Sequence, residues 1–468
     1  MKDIKEIIFL PEGRTLEFKR DLSSLKPILK TIIAFANTAG GILLVGRDDE
    51  GNILGVDNVF DAEERLANAI ADGIHPPLIP EIETTSIEGK PLLLVRIVHW
   101  QGPFFLKSKG MSGGVYIRLG STNRLAGPEI LEELQRSLSK VSFDQLACPD
   151  TDISGLDTQK IEQVFSEVGQ QVNQSNLETL GVLVRHAGNL VCSNGGIILF
   201  GQDHLRERYF PNATVRCARF RGTDKVDFID QYDVSGTIID AMTEIPKFIK
   251  RNTRLASKIE KMQRHDIPEY SPIAVREVLT NALVHADYSI KGMNPRVAIF
   301  SDRLEIESPG MLPFGFTLED FFSGVSHVRN KVIARVFREL RLMEEWGTGY
   351  RRITQVCEEA GYLTPTWREL GTVVRVAFSP HSATGEELEA SEPAETSKLT
   401  SRQQKIMALF EKEKELTAKE TIGRLDVSVS ERTLRLDLFE LKKRGLLMTT
   451  GKGPSTRWKF RENGKYKL

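Results

Sequence analysis

The sequence predicts a multidomain α/β (α+β) protein, and three observations carry that prediction. The chain has 468 residues, enough for about three domains at roughly 150 residues each. Helical apolar spacing alternates with short strand-like runs, as in SLKPILKTIIAFAN before GILLVG and PIAVREVLTNALV before NPRVAIFSD. Charge is also uneven. The chain carries −1 overall, but residues 399–468 hold 17 Lys+Arg against 9 Asp+Glu, a net +8. With 40% hydrophobic and 27% charged residues the composition is that of a protein with real cores. No run nears the ~20 apolar residues that span a bilayer, so no membrane association is expected. MKDIKEIIFLPEG lacks the apolar stretch of a secretory leader. Cys148, Cys192, Cys217 and Cys357 are scattered without a CxxC pair, which excludes a disulfide framework and fits a reducing cytoplasm.

The first expected domain is 1–140. TLEFKRD reads as a short strand with Glu17 and Lys19 on one face and Phe18 on the other. SLKPILKTIIAFAN is an apolar helix, Asn37–Gly41 its closing turn, and GILLVG a buried strand. Asp48 and Asp49 before Gly51 suit a hairpin turn. With EFK, AFANTAGG and LLVGRDD in this order, residues 11–56 resemble the Schlafen/AlbA-2 domain. The likeness continues to about residue 130 through VYIRLGSTNRLAGPEI. The resemblance implies nucleic-acid binding, in which Lys19, Arg20 and Arg124 would serve phosphate. For the animal relatives it implies a metal-dependent nuclease acting on structured RNA, and by position its carboxylates would be Glu12, Glu17 and Asp49. Hard carboxylate oxygens suit Mg²⁺ or Mn²⁺, which activates water and stabilises the departing oxygen. Glu12 and Glu17 have an odd spacing and converge only if the chain bends at Gly13; Glu17 and Lys19 equally read as an ion pair along a strand.

Residues 141–260 read as an α/β connector and a candidate dimerisation region. Helices are expected around 157–170 and 176–188, and a strand at 195–201 (GGIILFG). VRCARFRG is an alternating strand with Arg216, Arg219 and Arg221 outward, and 228–251 a turn followed by a long amphipathic helix.

The next domain, 261–380, carries a second set of chemistry-bearing residues. PIAVREVLTNALVHADYS is helical after Pro272, so Glu277 and Asn281 at i and i+4 share one face while Val278, Leu279 and Ala282 point to the core. An acid and an amide at this spacing resemble the N-box of the GHKL ATP-binding superfamily. Gly310 in SPGMLP stands where that family has its first glycine box, and EWGTGYRRI, with Gly347, Thr348 and Gly349, resembles the later one. The resemblance implies bound ATP, with Asn281 holding Mg²⁺ on the phosphates and Glu277 orienting water for hydrolysis. Physically, the glycines let backbone N–H groups approach phosphate at a helix start. The family's adenine-binding Asp is missing from Glu307-Ser308-Pro309-Gly310, so either Glu307 substitutes or nucleotide binding is altered.

HSATGEELEASEPAETSK (381–398), with five Glu and no aromatic residue, is an acidic linker. Beyond it, 399–468 resembles a winged helix-turn-helix. Ile406, Leu409 and Phe410 mark one helix, Thr417 with Glu420 caps a second, and Leu434, Leu438 and Leu441 form the buried face of a third. Arg432 and Arg435 lie near the start of that third helix, and Lys452 and Arg457 belong to the wing, where each would meet DNA. Together these features describe a nucleotide-responsive, DNA-binding transcriptional regulator, dimeric by the logic of paired reading heads. The alternatives are a metal-dependent nuclease on RNA or DNA and a scaffold with two silent sites.

Overall fold

The computed structural model describes residues 4–260, 263–343 and 349–384, and in the C-terminal segment 401–413, 415–425, 434, 437–438, 441–442, 447–450 and 457–460. The chain forms two compact units, Met1–Glu386 and Glu387–Leu468.

The larger unit begins with β1 (Leu16–Lys19), α1 (Leu25–Thr38), β2 (Gly41–Val45), α2 (Val59–Gly73), β3 (Glu81–Ile87) and β4 (Lys90–Ile97). The strands form a sheet in the order β1-β2-β4-β3, with only β1 and β2 parallel. Ile32, Ile33 and Phe35 of α1 are fully buried against it, which explains the helix's apolar density. Asn37 is not the start of a turn but part of the last turn of α1. Its amide donates to the carbonyls of Phe104 and Tyr116, each at 2.9 Å, and accepts from the Phe104 N–H at 2.8 Å. A buried amide satisfied on three sides is more stable in place than a solvated turn residue. The hairpin β5 (Tyr116–Leu119) and β6 (Thr122–Leu125) packs on α1 and leads into α3 (Pro128–Ser139).

The segment that follows departs from expectation in three places. α4 (Thr158–Glu167) falls within its predicted helix, but α5 (Gln174–Leu180) stops early. Gly181 adopts φ +81°, and the strands Leu183–His186 and Asn189–Cys192 follow. GGIILFG is not a strand but α6 (Asn194–Phe200), capped by the Ser193 hydroxyl, which accepts the Gly196 N–H at 2.9 Å. Every residue of α6 is buried, and such an apolar run carries no periodicity to tell helix from strand. The expected turn after β7 (Arg216–Phe220) is the edge strand β8 (Phe228–Asp233), followed by α7 (Ile238–Asn252).

After an antiparallel hairpin of Leu255–Glu260 and Gln263–Pro268 come α8 (Pro272–Val284), β9 (Arg296–Ile299), β10 (Leu304–Pro309), α9 (Leu318–Ser323), α10 (Lys331–Glu339), α11 (Gly349–Glu359), β11 (Thr366–Glu369) and β12 (Val373–Phe378). The unit's second sheet has the order β8-β7-β9-β10-β12-β11, so two strands from 216–233 extend the sheet of the following region. One hydrophobic core, from Cys148 to Phe378, runs under both.

The smaller unit contains α12 (Ser401–Lys412), β13 (Leu416–Thr417), α13 (Ala418–Arg424), β14 (Leu447–Thr450) and β15 (Arg457–Phe460), with strand order β13-β15-β14. Ile406, Phe410, Leu434, Leu438 and Leu441 meet in its core with Trp458. Thr417 caps α13 in a reciprocal pair with Glu420.

Candidate functional site

α8 starts where Ser271 accepts the Ala274 N–H and Pro272 takes the first helical position. Its apolar face is buried in the core, and its other face lines an open cavity of about 130 Å³. Glu277 and Asn281 stand there side by side, the Asn281 amide donating to Glu277 Oε1 at 3.4 Å. Opposite them is Gly349, the first residue of α11. A Cβ there would lie 2.6 Å from Glu277 Oε1 and 3.4 Å from Asn281 Nδ2, so the start of α11 packs directly against the pair and a side chain at this position would displace the Glu277 carboxylate. Gly310, at φ +104°, closes another side; a Cβ there would meet the Asp287 side chain at 2.8 Å. The acid, the amide, Gly310 and Gly349 therefore belong to one cavity, although Gly349 lies 72 positions after Glu277. Gly347 and Thr348 lie outside the described residues.

The rest of the wall is mostly apolar. Phe316, Phe321, Tyr350 and Trp367 face the cavity, and the last three pack ring on ring at centroid distances of 5.3–5.5 Å. Nothing in the local sequence marks them, because α9, α11 and β11 meet only in the folded chain. His285 also lines the wall. Burial, and then the neighbouring Arg329 and His327, push its pKa down to about 4, so it is a neutral imidazole near pH 7.

Glu307 does not take the place of the missing acid. Along β10, Ile306 and Ser308 turn to the cavity, while Glu305 and Glu307 turn to the other face of the sheet. There Glu307 pairs with Lys225 at 3.0 Å and Arg375 at 2.7 Å. Burial alone would raise its pKa, but these two cations hold it below the ordinary carboxylate value. The cavity position is held by Ser308, whose hydroxyl donates to the Ala282 carbonyl at 2.8 Å.

The donor chemistry is of the kind a phosphate group and its cation need: Asn281 and Glu277 would offer hard oxygens to Mg²⁺ and Arg352 a positive charge, beside a largely apolar, aromatic wall.

The three carboxylates near the N-terminus are not gathered. Glu12 Oε1 accepts the Phe18 N–H at 2.9 Å. Glu17, buried, is ion-paired to Arg118 and Lys19. Asp49 is exposed, and it is Asp48 that builds the turn, accepting from the N–H groups of Asn52 and Glu50. Among the described residues no three His, Cys, Asp or Glu side chains are grouped as a metal site. Arg118, missed in the sequence, is the organiser here: its side chain is wholly buried and also donates to the Gly13 carbonyl at 3.0 Å and to Asn123 at 2.9 Å. Of the expected phosphate contacts, Arg20 and Arg124 are exposed while Lys19 is half-buried against Glu17. In the smaller unit Arg457 is exposed on β15; Arg432, Arg435 and Lys452 lie outside the described residues.

Comparison with protein families gives two matches. Residues 12–127 match the model described as "Schlafen, AlbA_2", and residues 292–378 the one described as "Putative ATP-dependent DNA helicase recG C-terminal". The chain thus carries an AlbA_2 domain and a RecG-type C-terminal ATPase-like domain. The second match begins after α8, so Glu277 and Asn281 precede it and Gly310 and Gly349 fall within it. Among solved structures the chain is similar to the DIP2311 protein of Corynebacterium diphtheriae, at 18% identity over 98% of this chain and 96% of that one, with a TM-score of 0.44. It is also similar to the N-terminal domain of a RecG-related putative ATP-dependent DNA helicase from Nitrosomonas europaea, at 28% identity over 27% of this chain and 95% of that one, with a TM-score of 0.22. Comparison with curated proteins finds no match. Among the described residues no helix is long and apolar enough to cross a membrane.

Proposed function

We propose that the protein is a nucleotide-responsive, DNA-binding regulator that takes ATP with Mg²⁺ in the cavity between α8 and α11. The observation that carries this reading is the close approach of Gly349 to Glu277 and Asn281. In it, Asn281 and Glu277 hold the cation and phosphate end, and the apolar wall takes the base. Bound Mg²⁺ would supply charge neutralisation for the phosphates. Ser308 in place of a carboxylate leaves base recognition to shape and stacking. DNA is held by the exposed cations of the AlbA_2 domain, Arg20 and Arg124, and by the basic C-terminal unit acting as a winged helix, with two copies of the chain presenting paired reading heads.

Two measurements test this. ATP with Mg²⁺ at about a hundred times its Kd should stabilise the folded protein by about 2.7 kcal/mol. That shift in Tm should vanish in Asn281→Ala; no shift in the wild type rejects the nucleotide reading. Binding to duplex DNA in a gel-shift assay should weaken steeply with salt. A salt-independent or absent shift rejects the DNA reading.

A further inference from the structure

The cavity wall has a second job. Segment 310–316 lines the cavity with Gly310, Met311, Leu312, Pro313 and Phe316. The same segment is the seat of the AlbA_2 domain. Met311 packs with Val115, Ile117 and Leu134 in a small core of its own. The Gly315 N–H donates to the Thr38 carbonyl, at the end of α1, at 2.6 Å. Gly315 has φ +77°, and a Cβ there would lie 2.5 Å from the ring of His99, whose Nδ1 in turn meets the Ala36 carbonyl at 2.8 Å.

Polar ties fix the segment from both sides. The Leu312 N–H donates to Glu369 at 2.9 Å, and Glu369 is ion-paired to Arg14 of the N-terminal region. Arg14 also donates to the Leu312 carbonyl at 3.3 Å. Arg329 donates to the Met311 carbonyl at 2.6 Å and joins Asp287 at 2.8 Å to Glu133 of α3 at 3.1 Å. One buried guanidinium thus holds the cavity wall, the loop after α8 and the helix that directly follows the AlbA_2 match.

We infer that segment 310–316 couples the cavity to the AlbA_2 domain: an occupant that moves the wall shifts the end of α1 and the β5–β6 hairpin carrying Arg124. A closely packed wall cannot yield to an occupant on one face without a response on the other. Linkage then makes the effect mutual, so nucleic acid bound to the AlbA_2 domain alters occupancy of the cavity by the same factor. With ATP as occupant the inference rests on the proposed function; the coupling itself does not need it.

Hydrogen exchange of the full chain tests it at amides 36–38 and 116–119, read relative to those of 81–95. ATP with Mg²⁺ should change exchange at these positions by about fivefold or more. Arg14→Ala, within the AlbA_2 match, and Glu133→Gln, on the helix that follows it, should each shrink that change. ATP binding with no change at these amides overturns the coupling and leaves the nucleotide reading intact. If ATP does not bind, the nucleotide reading falls and a ligand-free arm decides: Ile306→Ala empties part of the wall from inside the cavity. Faster relative exchange at 36–38 and 116–119 in that variant upholds the coupling, and unchanged exchange overturns it.

Discussion

Asp144 shows how much a single residue can organise. It is fully buried and accepts the N–H groups of Lys331, Val332 and Ile333, capping α10 from a segment almost 190 positions away. Asp144→Ala leaves the Val332 and Ile333 N–H groups unpaired and the Lys331 N–H with only a long contact to the Ser142 hydroxyl, and should cost about 2 kcal/mol or more, read as a lower denaturant midpoint. Gly349 makes the complementary case. Alanine is the better helix former, but its Cβ would crowd the Glu277 carboxylate and the Asn281 amide, so Gly349→Ala should keep the fold and lose the ATP-dependent rise in Tm. His285 sets a pH dependence. Its folded pKa of about 4 lies below an unfolded value of about 6.5, so between these the unfolded chain holds more protons. Stability should therefore fall as pH drops from about 6.5 toward 4, and His285→Gln should flatten that fall in a series of melts. A smaller slope should persist, because burial also lowers His99 and His327.

At the scale of an element, β10 decides the chemistry by alternation. Ile306 and Ser308 look into the cavity, and Glu305 and Glu307 look away to Lys225 and Arg375. Glu307→Gln should thus cost about 1 kcal/mol of stability, its partners being partly solvated, while leaving the Kd for ATP unchanged by calorimetry. The period of two was present in RLEIESPG, but which face meets α8 depends on the neighbouring strands, so the sequence left Glu307 as a candidate. α6 is the reverse case, with an apolar run buried all round and no period to read. The pairing of Glu277 with Asn281 was legible because helical spacing is local. The ring cluster of Phe321, Tyr350 and Trp367 was not, because it is assembled from three elements.

For the molecule as a whole, the division into two units gives the last prediction. Residues 1–386 hold their own cores, so deleting 387–468 should leave a folded protein with a cooperative melt. Its DNA affinity should fall and the salt dependence flatten, the log–log slope dropping by about 0.9 for each phosphate contact removed. An unchanged slope would mean that the C-terminal unit does not touch DNA. Of the linker expected at 381–398 only 381–384 are described, and they are packed: the His381 N–H donates to the Glu269 carbonyl at 2.8 Å and Thr384 is buried. What the sequence determined by itself was whatever is set by neighbours in the chain: the capping pair Thr417 and Glu420, the shared face of Glu277 and Asn281, and the glycines that admit close approach. The tertiary structure decided which of these meet. It brought Gly349 to α8, turned Glu307 away, tied Glu17 to Arg118, and set the cavity wall against the AlbA_2 domain. The reason is physical: spacing along a helix or strand is fixed by backbone geometry, whereas contact between distant elements is chosen by how whole sheets and cores pack.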